Sequence, residues 1–158
     1  MTSDQSAKQW QVLIDADRAF SDALANFVRG WSEDSQRILK SGLRSHIMVA
    51  LAIIRALPVE ESIQLLPDLL YYARSVHGHL EDVRQTILSI PKDRLIREIE
   101  LAAKPLLSTG DDEDYRRFLE LYLRIDSQLA LRLARAAASA SDLHIREIGE
   151  EFVQKLGG

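Results

Sequence analysis

Apolar residues recur every three or four positions along almost the whole chain. The first helix is predicted over residues 5–29. One apolar stripe follows it, interrupted only by Asp17, and consists of Trp10, Leu13, Ile14, Phe20, Leu24, Phe27, Val28 and Trp31. This spacing is typical of amphipathic helices. No stretch alternates apolar and polar residues as a β-strand does, and no Asn-Gly or Asp-Gly turn occurs. The pattern therefore predicts an all-α fold of about eight or nine helices.

Polar residues mark where several of these helices begin. Ser32 and Asp126 each stand directly before a periodic apolar segment, as does either Ser141 or Asp142. Side chains of these types accept hydrogen bonds from the free N–H groups of a first helical turn. The acidic run Asp111–Asp114 suits the same place, because a helix N-terminus favours negative charge. We expect three closely joined helices at the C-terminal end, with the alanine-rich segment RLARAAASA allowing its neighbours to approach closely.

Three features in the middle of the chain predict how its helices pack. Residues Arg44–Leu57 are apolar on nearly every side, so we expect this helix to be covered by neighbours all round. Pro67 lies inside a helix predicted from Val59 to Val76, where it should introduce a kink. Pro105 is expected to break the last turn of a later helix.

Length and composition fit one domain over residues 1–158, with a repeat-like region from 43 to 156 after the first helix. The chain has no cysteine, no apolar run near the ~20 residues of a membrane span, and no secretory signal in its first residues. These observations predict a soluble, cytoplasmic protein with no membrane partner. The net charge of −4 argues against a dedicated nucleic-acid binder, which normally carries a basic face.

The sequence contains no motif for catalysis or cofactor binding. It has no cysteine nucleophile, no G-x-S-x-G elbow and no glycine-rich phosphate loop. His77 and His79, with Glu81 and Asp82 nearby, could hold a metal ion, but a polar turn is the simpler interpretation. We therefore predict a non-enzymatic protein with no cofactor and no metal site, and keep a small metal-dependent enzyme as an alternative.

Tyr71, Tyr72 and Arg74 are the first candidates for a partner-binding site. Tyrosine and arginine are enriched among the residues that contribute most to protein interfaces. Neighbouring residues on a helix point about 100° apart, so one tyrosine can pack inward while the other faces outward. The alternative is that both tyrosines complete the edge of the core.

Arg117 and Arg124 are the second candidates. They are seven residues apart and share a helix face with Glu113 and Glu120. Charges of alternating sign at this spacing favour a salt-bridged face exposed to solvent. A phosphate-binding stripe is the alternative interpretation.

Two segments of the chain repeat a short pattern. Asp93–Ile99 and Asp142–Ile148 are identical at five of seven positions, and Asp82-Val83-Arg84 is a weaker echo. With the internal prolines Pro67 and Pro105, these segments resemble the HEAT-like α-helical repeat superfamily over Val59–Leu156. The resemblance implies a helical-hairpin array with Asp142, Arg146, Asp82 and Arg84 in a polar ladder at the turns. A compact multi-helix bundle is the other architecture that fits.

The function predicted from these features is a protein–protein interaction module, such as an adaptor, a regulator or an immunity-type inhibitor. Stacked helix pairs offer extended surfaces without a reactive site. The alternative in another class is nucleic-acid binding through the arginine-bearing helix face.

Overall fold

The computed structural model describes residues 3–75 and 77–157, of which 84% are helical and none lies in a strand. The helices are α1 Ser3–Arg29, α2 Glu33–Ser45, α3 Ile47–Ala56, α4 Val59–Ser62, α5 Leu66–Ala73, α6 Leu80–Leu88, α7 Lys92–Ser108, α8 Asp112–Ile125, α9 Ser127–Ala138 and α10 Leu143–Lys155. Helices α4 and α5 are joined by the 3-10 turn Ile63–Leu65 and form one kinked helix. With that helix counted once, the described residues form nine helices, and the all-α prediction is confirmed.

The predicted caps set the helix boundaries. The Ser32 hydroxyl accepts a hydrogen bond from the Ser35 N–H at 3.3 Å, at the start of α2. At the start of α8, the Asp111 carboxylate accepts from the Asp114 N–H at 3.0 Å, and the Asp114 carboxylate accepts from the Asp111 N–H at 3.3 Å. The Asp126 and Asp142 carboxylates cap α9 and α10, and each accepts hydrogen bonds from two N–H groups of the first turn. Each cap satisfies N–H groups that the helix itself leaves free.

The two proline predictions have different outcomes. Pro67 falls in the first turn of α5, where a backbone N–H has no partner within the helix, so the proline costs no hydrogen bond there. The kink lies at the 3-10 turn that precedes α5. The predicted end of this helix at Val76 lies outside the described residues. Pro105 does not break α7, which continues to Ser108, so that prediction is wrong. The carbonyl left without its donor belongs to Leu101, one of the most exposed residues, so little is lost.

The chain divides into two compact units, Met1–Ala56 and Leu57–Gly158, called unit 1 and unit 2 below. In unit 1, α3 contacts both α1 and α2. The boundary falls just before Pro58, which precedes α4. The single domain over residues 1–158 stays a prediction.

Helix α3 is not covered on every side, so the prediction for Arg44–Leu57 is wrong. The helix begins at Ile47, and Arg44 and Ser45 belong to the end of α2. Leu51 and Ile54 are buried, but Met48 and Val49 each keep 43% of their surface exposed. Successive residues of a helix point about 100° apart, so Met48 and Val49 lie on a different side of α3 from Leu51 and Ile54. That side of the helix is exposed to solvent.

In unit 2 each helix packs against the next helix along the chain or the one after it. These contacts join α5 with α6 and α7, α6 with α8, α7 with α8, α8 with α9 and α10, and α9 with α10. The core consists of one apolar stripe from each helix, including Leu69, Ile87, Ile99, Phe118 and Leu129.

Helices α9 and α10 approach so closely that only glycine fits at position 149. A Cβ atom built there would lie 2.6 Å from the backbone carbon of Ala137 and 2.7 Å from the carbonyl oxygen of Ala134. These are backbone atoms of α9, which cannot move aside as a flexible side chain can. The alanine-rich segment therefore allows the close approach that its composition predicts.

We expect Gly149→Ala to lower the free energy of unfolding by about 2 kcal/mol or more, because the added methyl group forces α9 and α10 apart. Gly78→Ala is the matched control, since nothing lies within 4 Å of a Cβ there, and it should stay within about 0.5 kcal/mol of the parent chain. Urea unfolding followed by circular dichroism measures both. Equal stabilities of the two variants would contradict the close helix contact.

Candidate partner-binding site

The structure brings Tyr71, Tyr72 and Arg74 together at the C-terminal end of α5. The two tyrosine rings meet edge to face, with 5.3 Å between their centroids and 83° between their planes. The Arg74 guanidinium carbon lies 4.8 Å from the centroid of the Tyr71 ring, close enough for a cation–π contact. Tyr71 is 50% exposed, and Tyr72 is partly buried. We call these three residues the Tyr71 cluster.

His77 fixes the backbone beside this cluster. Its Nε2 lies 2.7 Å from the Tyr72 carbonyl oxygen and donates to it, while its Nδ1 accepts from the His79 N–H at 3.2 Å. Both ring nitrogens of His77 therefore form hydrogen bonds within the turn. Across residues 3–75 and 77–157, no three His, Cys, Asp or Glu side chains are grouped closely enough to hold a metal ion.

The predicted arginines Arg117 and Arg124 lie on α8 and are held by carboxylates. Arg117 contacts Glu113 at 3.3 Å and Glu120 at 3.2 Å on its own helix. Arg124 reaches α6, where both of its terminal nitrogens lie 2.9 Å from the carboxylate of Glu81. These contacts join the arginines to α6 and α8 rather than to the Tyr71 cluster. The predicted salt bridges within α8 are therefore present at Arg117, whereas Arg124 pairs with another helix, and Arg117 and Glu120 are partly buried rather than fully exposed.

Arg84 of α6 completes this polar group. Its guanidinium lies 2.7 Å from the Glu120 carboxylate and 3.5 Å from the Arg117 carbonyl oxygen. At the later turn, Arg146 donates to the carbonyl oxygens of Ala140 and Ser141, both at 3.1 Å, rather than to Asp142. Both arginines named by the resemblance thus make polar contacts at or between helices, through partners that the sequence did not identify.

Further ion pairs join other helices of unit 2. They are Glu60 with Arg94, Lys92 with Asp126, Glu100 with Arg132, and Arg116 with Glu151. The hydrogen bond from Arg124, reinforced by Gln85, lowers the pKa of Glu81 to about 2. Arg94 and Arg116 likewise lower the pKa of Glu60 and of Glu151. These eight side chains are therefore neutralised in pairs by contacts within unit 2.

An exposed apolar surface on α1 is the feature that sequence reasoning missed. Trp10 is 65% exposed and Leu13 is 62% exposed, although both belong to the predicted apolar stripe. Toward the other end of α1, Phe27 and Trp31 are partly buried and their rings meet edge to face, with 6.2 Å between centroids. We call the exposed half of the stripe, with Trp10, Leu13 and Phe20 around Asp17, the α1 stripe.

Exposed apolar residues are concentrated in unit 1. Seven of the ten large hydrophobic residues that are exposed in the described chain lie there: Trp10, Val12, Leu13, Phe20, Ile38, Met48 and Val49. The one signal in the sequence was Asp17, a charged residue inside an otherwise apolar stripe. A buried carboxylate without a partner is costly, so its presence fits an open face.

Comparison with known proteins identifies no relative: no protein-family model, no curated protein and no solved structure matches this chain. Residues 3–75 and 77–157 include no helix with the length and hydropathy needed to cross a lipid bilayer.

We expect the free energy of unfolding to fall as the pH is lowered from 4.5, the ordinary pKa of a glutamate, towards 2. Folding lowers the pKa of Glu81, so its contribution is present above pH 4.5 and is lost as the pH falls towards the folded value. Because Glu81 lies at the surface, the contribution should stay below about 1 kcal/mol.

Urea unfolding at steps between pH 5 and pH 2 measures this effect. Glu81→Gln should make the dependence on pH less steep, whereas Glu150→Gln, at an exposed position on α10, should leave it unchanged. The same slope in the parent chain and in Glu81→Gln would show that the Arg124 pair does not contribute.

Proposed function

We propose that this chain is a non-enzymatic protein-interaction module that binds an amphipathic helix of a partner protein through the α1 stripe. The observation that carries the proposal is the exposure of Trp10 and Leu13 on one helix face. Contiguous exposed apolar surface is typical of interaction sites, and tryptophan is among the residues that contribute most at interface centres.

The shape and charge of the α1 stripe favour a helical partner with a basic residue. The distance along the axis from Trp10 to Phe20 is about 15 Å, nearly three helical turns. An amphipathic helix laid on this face would cover apolar side chains spaced three and four residues apart. Asp17 lies in the middle, so a lysine or arginine opposite it would neutralise the one charge that the contact covers. A second copy of α1 fits less well, because it would bring another aspartate.

We propose in addition that unit 2 is a HEAT-like helical array. Contacts of each helix with its next and next-but-one neighbour support this architecture, because stacked helix pairs make contacts of that kind. In such an array the Tyr71 cluster, with its half-exposed ring, is the candidate surface on unit 2. A regulator, an adaptor or an inhibitor of the immunity type could use either unit.

The pairing of the arginines favours protein binding over the nucleic-acid alternative. Phosphate binding needs guanidinium groups that are free to meet phosphate oxygens. Arg117 and Arg124 already meet Glu113, Glu120 and Glu81. Binding to nucleic acid would have to break these pairs first.

A synthetic amphipathic helix of about four turns, with a leucine stripe and one central lysine, tests the proposed function. Isothermal titration should detect binding of this peptide and weaker binding of the same peptide with glutamate at the centre. Trp10→Ser and Leu13→Ser should each weaken binding about tenfold or more without changing the melting temperature, because both side chains are exposed. Asp17→Lys should reverse the preference, so that the glutamate peptide binds better.

Val12→Ser is the matched control for this experiment. Val12 is 66% exposed, as Trp10 is, but it lies two residues away and so points about 200° around the helix. It should leave the affinity unchanged. Equal losses in Val12→Ser and Trp10→Ser, or a preference that Asp17→Lys does not change, would contradict the α1 stripe. A loss in Tyr71→Ala or Arg74→Ala alone would move the site to the Tyr71 cluster.

A further inference from the structure

A cavity of about 320 Å³ opens between α7, α8 and α9 of unit 2. Pockets that bind small molecules usually have volumes of about 300–1,000 Å³, with mostly apolar walls and a few polar groups that orient the ligand. This cavity is formed within unit 2 alone, and it does not depend on the α1 stripe or on the function proposed for it.

The walls of the cavity are apolar and aromatic. Leu107, Leu133 and Ala136 line it together with the side chains of Tyr115 and Tyr122. The Tyr122 hydroxyl donates to the Ile99 carbonyl oxygen at 3.4 Å, so its hydrogen is already used within the protein. Burial raises the pKa of both tyrosines further above neutral pH, where a phenol is already uncharged. The walls therefore suit an uncharged ring or chain.

One positive charge remains at this cavity after its ion pair is taken into account. Glu100 and Arg132 both line it, and they neutralise each other through two contacts of 3.0 and 3.2 Å. Lys104 lies one turn after Glu100 on α7 and forms no ion pair within the described part of the chain. A negatively charged group on a ligand would therefore be attracted to the Lys104 ammonium group.

We propose that this cavity binds a small aromatic monocarboxylate, with its ring between the tyrosines and leucines and its carboxylate at Lys104. One negative charge matches the one unpaired ammonium group. A second negative charge on the ligand would be repelled by Glu100 or would be buried against the apolar wall. The two tyrosine rings favour an aromatic body, because aromatic pairs gain energy beyond the apolar area that they bury.

3-Phenylpropionate is the probe for this proposal, and 3-phenylpropanamide is its neutral control. In a titration followed by ¹H–¹⁵N correlation spectra, the acid should shift amide signals of residues 104, 106–108, 115 and 132–136, with a Kd of about 1 mM or tighter. The amide should bind about tenfold more weakly, because it lacks the charge that Lys104 attracts. Shifts scattered over the whole chain, or none at these residues, would overturn the proposal.

Two variants separate the contribution of the Lys104 charge from that of the cavity volume. Lys104→Gln should weaken binding of the acid about tenfold and leave binding of the amide unchanged. Lys8→Gln is the matched control, because it removes the same charge from an exposed site in unit 1, and it should have no effect. Ala136→Phe should fill the cavity and abolish binding of both probes while the circular dichroism spectrum stays the same, since Ala136 is exposed. Full affinity for the acid in Lys104→Gln or in Ala136→Phe would show that the ligand does not bind here.

Discussion

Helix α8 packs against four other helices of unit 2 and buries Phe118, Leu119, Leu121 and Tyr122. Because one helix meets so many neighbours, its apolar stripe fixes where α6, α7, α9 and α10 can lie. Its remaining face is polar, and there Arg116, Arg117 and Arg124 pair with carboxylates on α10, on α8 itself and on α6. Burial of the stripe supplies most of the stability, and the surface pairs add small terms that align the helices.

Unit 1 uses the same sequence pattern with a different result. Its first helix also carries an apolar stripe, interrupted by Asp17, yet the half around Trp10 and Leu13 remains exposed. An amphipathic pattern indicates only that one face of the helix packs against something apolar. The helix that covers this face can belong to the same chain or to another one. Unit 2 thus covers its stripes internally, whereas this half of the α1 stripe is exposed.

The sequence predicts local features well and tertiary features poorly, for physical reasons. The caps at Ser32, Asp126 and Asp142 were predictable, because each acts within two or three residues of itself. The pairing of Arg124 with Glu81 spans 43 residues, and no local pattern indicates it. At Pro105 a local pattern gave the wrong prediction. Proline by itself favours a break, but α7 continues through it. Exposure of Trp10 was missed because periodicity does not reveal which neighbour covers a stripe.

Amide hydrogen exchange of the chain without a partner tests the central claim most directly, that the α1 stripe is uncovered. A helix segment without packed neighbours is only marginally stable in water, so its amides open easily. Amides of residues 6–20 should therefore exchange at least about 1,000-fold faster than those of residues 118–125 in α8. Equal protection of the two segments would show that the stripe is already packed against the protein, and would contradict its role as a binding surface.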